Sequence, residues 1–171
     1  VEAIMQDTLP GSVVIVGAGA IGVEFATIWN SYGVDVTVIE LLPRVLPRED
    51  EEISKELTKE LTKVGIKIKT GVKLESIAVA GDKVKVKLPD ETLEVDQVLV
   101  AAAFSPNSKG LGLEAAGVKV SDRGMIDIDE KMQTNVPGIW AIGDVTGKLM
   151  LAHVGSAMGI ICAENIAGVE T

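Results

Sequence analysis

Three glycines in VVIVGAGAIGVEFA (Gly17, Gly19 and Gly22), together with the carboxylate of Glu40, have the types and spacing to hold a dinucleotide. In the G-x-G-x-x-G pattern each glycine has its own task. Gly17 permits a tight turn, Gly19 lets a pyrophosphate approach the backbone, and Gly22 lets a helix pack closely on the strand before it. The helix that opens there aims free backbone N–H groups at the phosphates. Glu40 can accept hydrogen bonds from both hydroxyls of an adenosine ribose. Its charge would repel a 2′-phosphate, so NAD is expected rather than NADP. The competing reading is a glycine turn between a strand and a helix with no ligand.

This chemistry needs a strand, a turn, a helix and a second strand in that order. Residues 13–16 (VVIV) read as a short buried parallel strand, and residues 20–32 as a helix ending at Gly33, a natural C-cap. Residues 36–40 (VTVIE) supply the second strand and complete a βαβ unit over 13–40. After LLPRVLP, the run REDEEISKELTKELTKVG places Ile53, Leu57, Leu61 and Val64 on one helical face, and its acidic start suits the positive end of the helix dipole. Residues 66–69 (IKIK) alternate as a strand, and residues 72–95 read as a small antiparallel meander. The almost wholly apolar run at 97–103 (QVLVAAA) predicts a strand buried on both faces. Beyond SPNSKGLG, residues 139–142 (IWAI) predict a further short strand ending at Gly143 and Asp144, and residues 153–167 a final helix.

Composition narrows the function classes. A chain of 171 residues with 47% hydrophobic and 24% charged residues is globular, and with only 3% aromatics its core must be built from Val, Ile, Leu and Ala. Sixteen basic against 25 acidic residues, a net charge of -9, argue against nucleic acid as a partner. No apolar run approaches the ~20 residues that span a bilayer, and VEAIMQDTLPG carries neither a basic n-region nor a signal core. The expectation is a soluble chain, cytoplasmic or in an organellar matrix if the source is eukaryotic, with no membrane partner. The lone Cys162 cannot form an internal disulfide; set among apolar residues in GIICAEN, it is expected as a core thiol. No Cys/His cluster offers a metal site. Redox chemistry would therefore have to come from a cofactor or from chain outside these residues. The start at Val1 rather than Met suggests a fragment or a processed product.

Further motifs carry a resemblance. GIWAIGDV, residues 138–145, resembles the segment of two-dinucleotide flavoproteins in which a strand-end Asp reaches the ribityl chain of FAD. LMLAHVGSAMGIICAENIAG resembles the dihydrolipoamide dehydrogenases, FAD/NAD-linked pyridine nucleotide-disulfide oxidoreductases in which MLAH lies along the flavin and opens a helix. GAGAIGVEF, VTVIELLPRVLP, EISKELTKEL, SPN and TNVPGIWAIGD extend the resemblance over essentially the whole chain. It implies an α/β chain with a Rossmann-like NAD-binding βαβ domain and a small antiparallel meander over residues 1–103. An incomplete C-terminal segment of a split FAD-binding domain would follow over residues 104–171.

The resemblance assigns Gly17, Ala18, Gly19, Ala20, Ile21, Gly22, Val23 and Glu24 to the pyrophosphate and nicotinamide side of NAD, Glu40 to the adenine ribose, and Leu74 to the adenine neighbourhood. It assigns Asp144, Met150, Leu151, Ala152 and His153 to FAD. On residue type alone, Glu24 reads equally as a solvated helix residue and Asp144 as a strand-end turn residue. Ala103 stands where the family has glycine beside the dinucleotide, so its methyl is expected to crowd NAD and weaken binding. No catalytic residue is assigned within the chain. His153, its single histidine, goes to helix start and flavin packing, because the family's catalytic histidine lies in a later interface domain.

The implied parent activity passes electrons from dihydrolipoyl groups, carried on the acyltransferase of a 2-oxo acid dehydrogenase complex, through a disulfide and FAD to NAD. The family's redox-active cysteine pair has no counterpart here, nor do the first half of its FAD domain and its interface domain. The chain alone is thus expected to bind NAD without turnover and to form a homo-oligomer through apolar faces the missing half would cover. Two alternatives stay open: a piece of another flavin disulfide reductase or NADH oxidase, and a non-catalytic NAD-binding module.

Overall fold

The computed structural model describes residues 2–169, so the outermost positions of the expected domain spans, residues 1, 170 and 171, lie outside the described residues. The chain divides into two compact units, with the boundary between Ala103 and Phe104.

In the first unit, β1 (Ser12–Val16), α1 (Ala20–Ser31), β2 (Asp35–Glu40), α2 (Glu51–Lys63), β3 (Lys67–Thr70) and β7 (Gln97–Val100) form a four-stranded parallel sheet with its helices, the strands ordered β3-β2-β1-β7. Between β3 and β7, β4 (Ser76–Ala80), β5 (Lys83–Lys87) and β6 (Thr92–Val95) make the antiparallel meander. This is the mixed α/β architecture expected from the sequence. Successive side chains of a strand point to opposite faces, and that explains the two cores. Val13, Ile15, Val36 and Val38 pack with Ala26 and Trp29 of α1 and Leu61 of α2, which places both helices on one side of the sheet. Val14 and Ile39 join Val86, Leu88 and Val95 on the meander side. Two-sided burial is why β1 and β2 read as nearly unbroken apolar runs. On β5 the alternation divides the labour differently: Val86 is buried, while Lys83, Lys85 and Lys87 meet Asp96, Glu94 and Glu75.

The foot of β1 is tied down by one carboxylate. Asp96 Oδ2 accepts the Ser12 N–H at 2.7 Å and the Ser12 hydroxyl at 3.0 Å, and Lys83 Nζ lies 2.5 Å from Oδ1. The Lys83 ammonium first, then the Ser12 hydroxyl and Ser12 N–H, lower the Asp96 carboxyl from its ordinary 3.8 to about 2. With the side chain 28% exposed, water screens part of this interaction.

Two expectations for this unit need correction. The apolar run at 97–103 does not become a strand buried on both faces: β7 ends at Val100 and is the end strand of the sheet, with Val100 66% exposed. An apolar run reports its own composition, and whether a further strand pairs with it is decided elsewhere in the chain. The buried face of α2 is also rotated from the expected one. Ser54 and Leu61 are buried and Leu57 partly so, whereas Ile53 is 59% and Val64 58% exposed. Ile53 lies one residue, about 100° around the axis, from Ser54, and Val64 is the C-cap, already leaving the helix.

The second unit holds a 3-10 turn at Gly143–Thr146 and α3 (Ala152–Ile166), with a small core of Val118, Ile126 and Ala141. The strand expected at 139–142 is not formed. Trp140 makes a single isolated bridge with Gln133, supported by the Ala141 N–H to Met132 O bond at 3.1 Å. A ladder needs a partner running alongside, and among the described residues no strand extends this pair. Within α3 only Met158 is buried, and Cys162 is half-buried rather than the core thiol expected, since its helix is packed on one narrow stripe. Among the described residues no helix is long and apolar enough to cross a membrane, and no cluster of His, Cys, Asp and Glu could hold a metal ion.

Candidate dinucleotide site

At the carboxyl end of β1 the three glycines have separable reasons for being glycine. Gly17 takes φ +106°, and a Cβ there would stand 2.7 Å from the Ala101 carbonyl oxygen and 2.9 Å from Ala102 Cα. A Cβ on Gly22 would collide with the Gly17 carbonyl oxygen. Both are therefore required by the fold alone. Gly19 is different. It is the N-cap of α1 in ordinary extended backbone, φ -72° and ψ -179°, and a Cβ added there meets nothing within 4 Å. The protein itself does not demand a glycine at position 19, and the space its missing side chain leaves is open to a ligand.

The helix start beside it is equally unfilled. Gly19 has no side chain to cap α1, and the first turn carries no acidic residue. Val23 N–H reaches back to Gly19 O at 3.1 Å, which leaves the amides of residues 20–22 with no acceptor inside the helix. Those N–H groups and the positive end of the helix dipole are the elements of an anion site.

Glu40 is brought to the same turn by the parallel pairing of β1 with β2. The Gly17 N–H donates to Ile39 O at 2.8 Å, and the Ala18 N–H donates to Glu40 Oε2 at 2.8 Å. The other oxygen, Oε1, accepts the Leu42 N–H at 2.8 Å. A carboxylate oxygen has two lone-pair sites, so each still has one for a hydroxyl donor.

The other expected residues of this unit differ in burial. The side chains of Ala18 and Val23 are buried in the helix-side core; those of Ala20 and Ile21 are exposed on the first turn of α1. Glu24 is exposed one turn on, at a shallow concavity with Val23, Thr27, Ile28 and Leu57. Leu74 is half-buried against the cluster of Val14 and Ile39. Ala103 is exposed; the backbone pressed against Gly17 belongs to Ala101 and Ala102. A separate concavity of about 480 Å³, lined by residues including Arg44, Glu51, Ser54, Lys55 and Thr70, contains none of the expected residues. Its cations are already engaged, Lys55 with Glu51 at 2.7 Å and Arg44 with Pro47 O at 3.0 Å.

In the second unit, Asp144 is exposed on the 3-10 turn and Met150 half-buried, and Leu151 is the N-cap of α3 with no side-chain cap bond. Ala152 and His153 are exposed at the start of α3, whose first turn holds no acid. A Cβ on Gly155 would lie 3.6 Å from Gly143 Cα, so the first turn of α3 lies against the turn that carries Asp144. One feature gave no sequence signal: Leu46, at φ +45°, donates its N–H to Ala18 O at 2.9 Å. A left-handed leucine has no compositional signature.

Comparison with known proteins shows the family. Residues 1–159 match the family described as pyridine nucleotide-disulphide oxidoreductase. The dihydrolipoyl dehydrogenase of Mycobacterium leprae is 53% identical over 174 residues, which is 99% of this chain and 37% of that protein. That of Corynebacterium glutamicum is 52% identical over 176 residues, 99% of this chain and 38% of the relative. Among solved structures, the HOCl-induced flavoprotein disulfide reductase RclA of Escherichia coli superposes with a TM-score of 0.93 at 33% identity, over 98% of this chain and 39% of that one. LpdA of Mycobacterium tuberculosis superposes with a TM-score of 0.90 at 32% identity, over 97% and 36%. The chain thus spans under two-fifths of the length of these relatives, and by the family match over residues 1–159 it belongs to the pyridine nucleotide-disulphide oxidoreductase family.

Proposed function

We propose that the first unit binds NAD on the glycine turn and that the whole protein is a dihydrolipoyl dehydrogenase. The observation that carries the first part is Gly19: an open position at an uncapped helix start, kept free of a side chain that the fold would tolerate. In this reading the amides of residues 20–22 hold the pyrophosphate, and Glu40 accepts the adenosine ribose hydroxyls on its remaining lone pairs. Leu74 supplies an apolar neighbour to the adenine, Glu24 faces the nicotinamide side, and the Ala103 methyl narrows the approach. When bound, NAD supplies the hydride acceptor and FAD the relay between a dithiol and NAD. Asp144 and the segment from Met150 to His153 are the chain's contribution to FAD, at the open start of α3.

The dihydrolipoyl reading rests on identities of 53% and 52% to proteins of that name, against 33% for the flavoprotein reductase RclA. Its partner would be the dihydrolipoyl-bearing acyltransferase of a 2-oxo acid dehydrogenase complex. With the single thiol of Cys162 the 171 residues cannot cycle between dithiol and disulfide, so NAD binding is the activity assigned to them. The exposed apolar side chains of α3, Ile160 and Ile166, are the surface on which homo-oligomers of this chain would form. Calorimetric titration of the chain with NAD and with NADP tests the site. NAD is expected to bind more tightly, and equal or tighter NADP binding would remove Glu40 from the ribose.

A further inference from the structure

Ala18, the residue between the first two glycines of the motif, is held from both sides. Its N–H donates to Glu40 Oε2 at 2.8 Å, and its carbonyl accepts the Leu46 N–H at 2.9 Å. Its side chain is fully buried, and the preceding Gly17 N–H is fixed on Ile39 O at 2.8 Å. Glu40 Oε1 meanwhile accepts the Leu42 N–H at 2.8 Å, so one carboxylate ties the glycine turn to the start of the 41–50 segment and Leu46 ties it again further along. Leu46 adopts φ +45° to do so, a conformation that a leucine keeps only where its surroundings over-determine it. Here they do: the buried Ser54 donates its hydroxyl to Leu46 O at 3.3 Å, Arg44 closes the same segment on Pro47 O at 3.0 Å, and the Leu46 side chain packs on the helix-side core.

From this arrangement we infer that Glu40 is a positioning residue for the phosphate-binding turn, acting through the Ala18 peptide before any nucleotide arrives, with the 41–50 segment as its second anchor. The inference deepens the NAD-site reading and rests on it for its consequence. A turn built on Gly17 and Gly19 is conformationally permissive, and ordering it at the moment of binding would subtract from affinity. The two hydrogen bonds on Ala18 remove that freedom in advance and set the direction of the amides that follow. A carboxylate suits the task because both of its oxygens only accept. A glutamine in its place would turn an NH₂ toward one of the two N–H donors and lose that bond. An aspartate is one methylene too short to reach both.

An acceptor of ribose hydroxyls alone and a positioner of the turn differ in two readouts. The first is hydrogen exchange of the Ala18 amide in the nucleotide-free chain, compared between the unsubstituted protein and Glu40→Ala, which removes both acceptor oxygens. The second is the affinity of both for NAD and for an NAD analogue lacking the 2′ and 3′ hydroxyls of the adenosine ribose. Loss of one charge-assisted hydrogen bond is expected to speed Ala18 exchange roughly tenfold and to weaken the dideoxy analogue by about the same factor, although that analogue offers Glu40 no hydroxyl. Unchanged Ala18 exchange, or a dideoxy affinity indifferent to the substitution, overturns the inference. If Glu40→Ala does not fold, Glu40→Leu, which likewise offers no acceptor, is measured in its place with the same expectations. A chain that binds neither ligand would defeat the NAD reading, while the Ala18 exchange rate still decides the positioning role.

Discussion

α1 and α2 lie on the same side of the same sheet and begin in opposite ways. α2 starts after Asp50, whose carboxylate accepts the Glu52 N–H at 2.8 Å, and its first turn carries Glu51 and Glu52. α1 starts after Gly19, with no capping side chain and no acid in its first turn. Every helix start presents orphan amides and a partial positive charge. At α2 the chain satisfies them with its own carboxylates. At α1 it leaves them bare, although any of Ser, Thr, Asp or Asn at position 19 would have capped the helix. A cap withheld at the end of a parallel strand leaves those amides open to an anion from outside, as the proposed NAD site requires. The comparison also explains why the concavity beside α2 is not a second anion site: its positive charges already face Glu51.

The largest effect that would test this contrast comes from Gly22→Ala, because the added methyl would collide with the Gly17 carbonyl oxygen at the core of the turn. Stability is expected to fall by about 3 kcal/mol, read from urea unfolding. A loss within experimental error would mean the turn is loosely held. Next comes Gly19→Val, whose Cβ meets nothing within 4 Å. Stability is expected to change by no more than about 1 kcal/mol, whereas NAD affinity in calorimetry falls roughly a hundredfold through lost approach to the amides. If both properties move together, Gly19 belongs with Gly22 as a fold residue and the case for a ligand there weakens. Asp50→Ala is the mirror experiment at α2. It should cost about 1 kcal/mol of stability and leave NAD affinity unaltered; an affinity change would couple the two helix starts, which the contrast treats as independent.

The smallest effect concerns the opposite end of β1, where Asp96, like Asp50, satisfies a backbone amide from within the chain. Its carboxyl is lowered to about 2 in the fold against an ordinary 3.8, so its stabilising contribution is fully present above about pH 4 and is lost as pH falls through about 2. Urea midpoints measured at about pH 5 and about pH 2.5 should therefore fall further for the unsubstituted chain than for Asp96→Asn. Equal declines would show that Asp96 is not the titrating anchor of Ser12.

Much of the site could be read directly, because it is written in local features. Gly17, Gly19 and Gly22 are spaced by turn and helix geometry, Glu40 closes an apolar strand-length run, and Asp50 with Glu51 and Glu52 is a helix start by composition alone. The alternating runs of residues 72–95 announced an antiparallel meander, and the structure forms one there from β4, β5 and β6. The exposed edge position of Val100, the exposure of Ile53 and Val64, and the isolated bridge that stands in place of a strand around Trp140 could not be read in this way. Val100 and Trp140 depend on whether a distant segment comes alongside, and α2 on which of its faces meets the sheet and where its last turn ends; hydrophobic period carries no information about partners. The same holds for the Ala18 peptide. Sequence by itself determined that a turn and a carboxylate would be present. Only tertiary structure decided that Glu40 and a left-handed Leu46 would grip that turn from two sides, because hydrogen bonds between residues far apart in the chain need β1 and β2 paired in register.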